Sequence, residues 1–399
     1  MTLDHLSLSS LAVHAGREGL TELGVHAVPI DLSTTAPLPS VMEGRDALDV
    51  LATGQPLPPG APTIYRRAWN TTVARFEVAV AALEGHVPGG EPLALEGIAF
   101  ASGMAATSAV VLSRVAAGVP HVLAVRPLYG GTDALLESGL LGTEVTFVEP
   151  DEIASARTER TGLVVLETPS NPTLELRDIK DIVRQAGDVP VMIDNTFASP
   201  VLQQPLRLGA AYSVHSATKY LGGHGDAMGG VVVTTPDLAT AIRPIRVITG
   251  GVLDPWSAYL LLRGLATLPI RMQAAQATAG AVACWLTEQP AVARTYYPGL
   301  PGGDPTGLIG TQMYGPGAMV ALDMAGGFEA AQQLCSGLRL ITHAVSLGGV
   351  DTLVEHPASL THRIVSVAAQ PGAGLVRLSI GLESIDDLIR DLAAALNAL

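Results

Sequence analysis

A chain of 399 residues, 48% hydrophobic and only 15% charged, is long enough for two or three packed regions and apolar enough to hide surface between subunits. Thirty-seven acidic against twenty-three basic residues give a formal charge of −14 with no Lys/Arg block, which argues against binding the backbone of a nucleic acid. No apolar run approaches the roughly 20 residues of a bilayer span, the first basic residue is Arg17, and Cys284 and Cys335 stand far apart, so a cytoplasmic protein with reduced thiols and no metal site is expected.

Residues 1–70 hold Pro37, Pro39, Pro56, Pro58, Pro59 and Pro62 and show no regular alternation, which predicts an extended N-terminal arm. From Thr71 onward helical and strand patterns alternate. A helix is expected over 71–83, closed by Gly85, and a second, Ala/Val-rich helix begins after Ser102, a natural N-cap, and ends at Gly118. Strands are expected at 121–125, 144–148, 163–167, 189–194, 212–216 and 230–234, with a helix over 178–186. This is the mark of a mainly parallel α/β sheet. A second α+β region starts near residue 260, with a helix over 260–268, a strand at 375–380 and a last helix over 386–396. The expected division is an arm (1–70), a large domain (71–260) and a C-terminal domain (261–399).

Of the twenty-three basic residues only Lys180 and Lys219 are lysines. Where arginine serves for generic positive charge, a surviving lysine invites a chemical reason, because an amine can lose its proton and form an imine while a guanidinium cannot. Lys180 sits on an amphipathic helical pattern and reads as a solvated charge. Lys219 follows Ser216-Ala217-Thr218 and precedes Tyr220-Leu221-Gly222-Gly223, so two hydroxyls suited to a phosphate flank it and glycines allow close backbone approach. Glu167, Asp194 and the 216–219 segment all fall just beyond strand ends, where α/β sheets open their ligand crevice. Asp194, ending an apolar strand, needs a cation, and a pyridinium nitrogen, a salt bridge or a helix cap would each satisfy it. Gly103 and Met104 present amides at a helix N-terminus, a site for an anion. His215 and His224 lack metal-ligand spacing and read as structural.

Several ordered blocks then carry a resemblance. They are Tyr65-Arg66-Arg67 with Asn70, Ser102-Gly103-Met104-Ala105, Leu128-Tyr129-Gly130-Gly131-Thr132, Glu167-Thr168-Pro169-Ser170-Asn171-Pro172, Asp194-Asn195-Thr196 and Ser216-Ala217-Thr218-Lys219-Tyr220. Further blocks follow at Ala344-Val345-Ser346-Leu347-Gly348-Gly349, His356-Pro357-Ala358-Ser359, Thr361-His362 and Val376-Arg377-Leu378-Ser379. In this order, through nearly the whole chain, they resemble the Cys/Met-metabolism (transsulfuration) family of pyridoxal-phosphate enzymes.

The resemblance implies the type I fold of that cofactor's transferases: a mainly parallel seven-stranded sheet in a large domain plus a smaller C-terminal α+β domain, assembled as a homotetramer of two tight dimers. It implies that Lys219 holds pyridoxal 5′-phosphate as an imine and shuttles protons, that Asp194 pairs with the pyridine nitrogen, and that Tyr129 stacks on the ring and acts as acid/base. Gly103, Met104, Ser216 and Thr218 would hold the phosphate, joined by Tyr65 and Arg67 of a neighbouring subunit. Asn171 would face the phenolic oxygen, and Arg377 with Ser346 the substrate carboxylate. Two departures stand out: Thr71 follows Asn70 where the family usually has proline, and the segments 45–60 and 86–97 are longer than usual.

Lyases and synthases of this family share nearly all these residues. Members that cleave cystathionine usually carry carboxylates where this chain has Ile64 and Val345. Apolar residues there favour methionine, whose methyl gains from burial, over a substrate with a second charged end. The expected reaction is γ-elimination of methionine to methanethiol, 2-oxobutanoate and ammonia. Cystathionine cleavage or synthesis and acylhomoserine sulfhydrylation are the alternatives, because Gly131 stands where methionine-cleaving members typically have cysteine and Asp133 adds a charge near Tyr129. A non-catalytic cofactor-binding scaffold is the alternative of another class. A nicotinamide oxidoreductase is disfavoured, since no GxGxxG follows the first strand.

Overall fold

The computed structural model describes residues 5–58 and 61–399. Seven strands form one sheet: β1 (Glu96–Phe100), β2 (His121–Val125), β3 (Glu144–Val148), β4 (Thr161–Glu167), β5 (Val191–Asp194), β6 (Tyr212–Ser216) and β7 (Gly230–Thr234), in the order β1-β7-β6-β5-β4-β2-β3. Pairings from β3 through β6 are parallel, whereas β7 runs antiparallel to both its neighbours, so the sheet is mainly parallel, as expected. Strands β2, β4 and β7 are buried on both faces, which explains their continuous Val/Leu runs. One face packs Val122, Leu163, Tyr212 and Val232 against Val110 of helix Gly103–Ala116; the other packs Val164, Leu166 and Ile193 against Ile182 of helix Ile179–Ala186.

A second sheet comprises β8 (Val292–Tyr296), β9 (Met319–Met324), β10 (Thr342–His343), β11 (Leu353–Glu355) and β12 (Leu375–Ser379), in the order β10-β11-β12-β9-β8. Its apolar side shares one continuous core with helices Thr71–Gly85, Pro255–Leu265 and Leu268–Leu286. That shared core fixes the two sheets against each other. The carboxyl ends of β4, β5 and β6 therefore stay opposite β12.

Three expectations change. The arm is not wholly extended: it contains helices Leu8–His14 and Val41–Ala52, capped by Ser7 and Ser40, while Pro59 lies outside the described residues. Strand β1 arises at the end of the longer 86–97 segment, where it pairs with β7 rather than in sequence order. The helix expected over 260–268 is two helices, Pro255–Leu265 and Leu268–Leu286. Each has a proline in its first turn, where a missing N–H costs nothing. Thr71 is no defect either, because the buried Asn70 side chain accepts from Thr72 N (3.0 Å) and Val73 N (3.1 Å) and caps the helix without proline.

Candidate active site

A cavity of about 500 Å³ opens at these strand ends. Its lining brings together Gly103, Met104, Tyr129, Asn171, Asp194, Ser216, Thr218, Lys219, Val345, Ser346 and Arg377, all expected at the site and drawn from widely separated stretches of chain. Tyr65, Arg67 and Ile64 do not line it. Tyr65 is half exposed, Arg67 Nη1 donates to Val247 O (2.9 Å), and Ile64 sits in the left-handed region at φ 62°.

Lys219 leaves β6 on a short turn and points its Nζ to Ser346 Oγ, 2.7 Å away. Burial, and then the nearby Arg377, lowers its pKa from 10.5 to about 8, against the pull of Glu355. A useful fraction of neutral amine therefore exists near neutral pH. Ser346 itself has φ 94°, a strained conformation for a residue with a side chain. Its carbonyl accepts from Arg377 Nη2 (3.2 Å), which helps hold that turn.

Arg377, from β12, is buried and nearly fully engaged: Nη1 donates to Asn171 Oδ1 (2.8 Å) and Nη2 to Glu355 Oε2 (2.9 Å). Glu355 is its register partner on β11 and also accepts from Thr361 Oγ1 (2.5 Å). The pairing fixes the plane of the guanidinium where it lines the cavity.

Asp194 accepts from Thr196 N (3.1 Å) and Thr196 Oγ1 (2.5 Å) and has no cationic partner among the described residues. Burial raises its pKa, opposed by the two Thr196 bonds. Glu167, almost fully buried beside it, accepts from Tyr129 N (2.8 Å), and burial followed by the Asp194 charge raises its pKa well above the ordinary range. Tyr129 stands at the N-cap position of helix Gly130–Glu137 with its side chain free of capping bonds among the described residues, and burial, then Glu355, raises its phenol.

The glycines after Tyr129 have steric reasons. A Cβ on Gly130 would collide with Thr361 O, and one on Gly131 would come within 2.6 Å of the Tyr129 ring and 3.2 Å of Met104 Sδ. His362 Nε2 lies 3.2 Å from Leu128 O and ties the same turn to the C-terminal region. Asp133 does not face the cavity as a free charge. Arg126 grips both its oxygens (2.6 and 2.9 Å), and its side chain is 2% exposed. His215 is structural, paired with the buried Glu84 (2.6 Å), and His224 Nδ1 lies 2.8 Å from Gly222 O.

Sequence reasoning missed Glu355, Thr196, Phe197, Met228 and Leu360 as part of the site. Thr196 had a signal, two residues past Asp194, where a hydroxyl can turn back on a carboxylate. Glu355 had none, because its importance comes from a strand pairing.

The residues present fit pyridoxal phosphate. Asp194 is a carboxylate in want of a cation at one end of the cavity, and Lys219 supplies an amine of lowered pKa. The N-terminus of helix Gly103–Ala116 meets Ser216 so closely that a Cβ on Gly103 would lie 2.9 Å from Ser216 Cβ, which leaves a cradle of amides and hydroxyls for a phosphate.

A family model described as Cys/Met metabolism PLP-dependent enzyme matches residues 9–397. An "L-methionine gamma-lyase" of Brevibacterium sandarakinum is 57% identical over 389 residues, 98% of this chain and 97% of that protein. Another so named, from Streptomyces avermitilis, is 50% identical over 98% of this chain and 89% of its own length. Among solved structures, metB from Corynebacterium glutamicum superposes with a TM-score of 0.87 at 36% identity, covering 98% of both chains. The fold is that of the type I pyridoxal-phosphate enzymes.

Proposed function

Because the chain belongs to the Cys/Met metabolism family of pyridoxal-phosphate-dependent enzymes, we propose that it is a carbon–sulfur lyase that converts methionine and water to methanethiol, 2-oxobutanoate and ammonia. The observation that carries the choice of substrate is the make-up of the cavity. Beyond Glu167, Asp194, Lys219 and Arg377 its lining bears no charge, and Met228, Val345, Leu347 and Leu360 are apolar. The second amino acid group of cystathionine would be desolvated there without a partner, while a thioether methyl gains from burial.

The cofactor, when bound, supplies an electron-withdrawing ring that eases the breaking of bonds at the substrate's Cα. Gly103, Met104, Ser216 and Thr218 hold its phosphate, Asp194 its ring nitrogen and the Asn171 amide its phenolic oxygen. Arg377, with Ser346, takes the substrate carboxylate, and its fixed plane orients Cα toward Lys219. The Lys219 amine, poised near 8 and held by Ser346 Oγ, takes the Cα proton. The Tyr129 phenol, kept protonated by its raised pKa, gives a proton to the departing sulfur.

In this reading residues 1–70 form an arm, 71–260 the cofactor domain and 261–399 the C-terminal domain. The protein is a cytoplasmic homotetramer of dimers, in which Tyr65 and Arg67 reach a neighbour's phosphate and Ile64 a neighbour's substrate. The exposed side chains of Leu32, Leu38, Val41, Met42 and Tyr65 on the arm support contact with another subunit, and the two free thiols support a reducing compartment. The test is kcat/KM of the purified holoenzyme for methionine, cystathionine, homocysteine, cysteine and acylated homoserines, scored for thiol and 2-oxo acid. A higher kcat/KM for cystathionine than for methionine refutes the substrate assignment.

A further inference from the structure

Glu167 and Asp194 end adjacent parallel strands and are register partners, so both side chains leave the same face of the sheet and line the same cavity. Their surroundings differ. Asp194 accepts two hydrogen bonds from Thr196, whereas Glu167, 3% exposed, accepts only the Tyr129 backbone N–H among the described residues. The charged or titratable groups that face Glu167 are Asp194 from β5, Tyr129 from the turn after β2, and Arg377 from β12. Arg377 is already shared with Glu355, and His215 is paired with Glu84. Neighbouring strands lie about 5 Å apart, and two anions at that separation with little water and no cation of their own repel strongly. One of them takes a proton, and Asp194, whose carboxylate accepts the two Thr196 hydrogen bonds, keeps the charge.

We propose that Glu167 is a positioning residue held as a neutral carboxylic acid, with one oxygen accepting the Tyr129 N–H and its hydroxyl left to the cavity beside an ionised Asp194. The two carboxyls then act differently. Asp194 is free to serve a cation, and Glu167 fixes the turn from which the Tyr129 ring reaches into the site. Burial and the Asp194 charge both push the Glu167 pKa upward, in agreement with this assignment. The inference rests on the reading of Tyr129 as proton donor only for its kinetic consequence.

The first test is infrared spectroscopy of the holoenzyme grown with isotope-labelled glutamate, at neutral pH. A labelled protonated-carboxyl band present in wild type and missing in Glu167→Gln is expected; a spectrum without that difference overturns the proposal. The second is kinetic. Glutamine keeps a neutral acceptor and a donor, so Glu167→Gln should retain kcat within about threefold, whereas Glu167→Ala should lose on the order of 10- to 100-fold in kcat with little change in KM, the scale of a misplaced catalytic group. Cofactor affinity, read by equilibrium dialysis, should be unchanged in Glu167→Gln. A glutamine variant as damaged as the alanine variant refutes the neutral state. Should Glu167→Ala fail to fold, the infrared comparison still decides. Should the band be present while neither Glu167→Ala nor Tyr129→Phe slows turnover, the error lies in the role of Tyr129.

Discussion

Lys219 is held at a cost to stability that can be measured. Its pKa falls from 10.5 to about 8 on folding, and at about 1.4 kcal/mol per factor of ten that amounts to about 3 kcal/mol. Below pH 8 both folded and unfolded chains carry the proton, and the native state bears the full penalty of a buried ammonium. Between pH 8 and 10.5 the unfolded chain binds more protons than the folded one, so stability rises with pH across that window. Lys219→Met keeps most of the stem and removes the amine along with its bond to Ser346, a loss of about 1 kcal/mol. The apoprotein variant should therefore be about 2 kcal/mol more stable than wild type at neutral pH, and the gap should close or reverse near the upper end of the window. Urea unfolding of both apoproteins, at one protein concentration because assembly contributes to stability, measures this directly. A variant that is less stable at neutral pH, with a gap that does not change as pH rises, would refute the buried-amine argument. Lys180→Arg serves as control, since Lys180 is exposed and should change neither stability nor turnover.

The rate at which apoprotein captures pyridoxal phosphate should rise with pH and level off above about 8, as the Lys219 amine loses its proton; a flat profile from stopped-flow absorbance would contradict its lowered pKa. Gly103→Val should weaken cofactor binding by more than about tenfold, on the order of 1.4 kcal/mol, because even its Cβ presses on Ser216, and dialysis of the folded variant reads the loss. Val345→Glu should lower kcat/KM for methionine relative to cystathionine by about tenfold or more, since the new charge meets a methyl in one substrate and an ammonium in the other; an unchanged ratio would remove Val345 from the specificity argument. Mixing Arg67→Ala with Lys219→Ala subunits should restore activity, as a hybrid dimer regains one complete site, and verified hybrids without activity would refute shared sites.

What the sequence reveals of this site depends on whether a residue's role is written along the chain or across it. Lys219, Ser216 and Thr218 share one turn, and Asp194 and Glu167 close apolar strands, so spacing and strand-end position suffice to bring them to one crevice. Gly130 is legible only as part of a motif. Its reason, the Thr361 carbonyl lying where a Cβ would go, belongs to a contact more than two hundred residues distant.

Asp133 shows the opposite error. Its position four residues after Tyr129 puts it on the first turn of the same helix, which correctly predicts proximity. Whether it is free depends on Arg126, which leaves the end of β2 at the angle needed to hold both carboxylate oxygens while lying 3.3 Å from the centre of the Phe147 ring on β3. Glu355 is concealed for the same reason, since the pairing of β11 with β12 converts an ordinary acidic residue into the counterion of Arg377. Charge in this protein is thus assigned by strand register. Arg377 has Glu355 opposite it, whereas Asp194 has Glu167, a second carboxyl that cannot serve as its counterion. That leaves Asp194 as the anion of the cavity without a protein cation among the described residues, which is the condition a cationic cofactor ring would relieve.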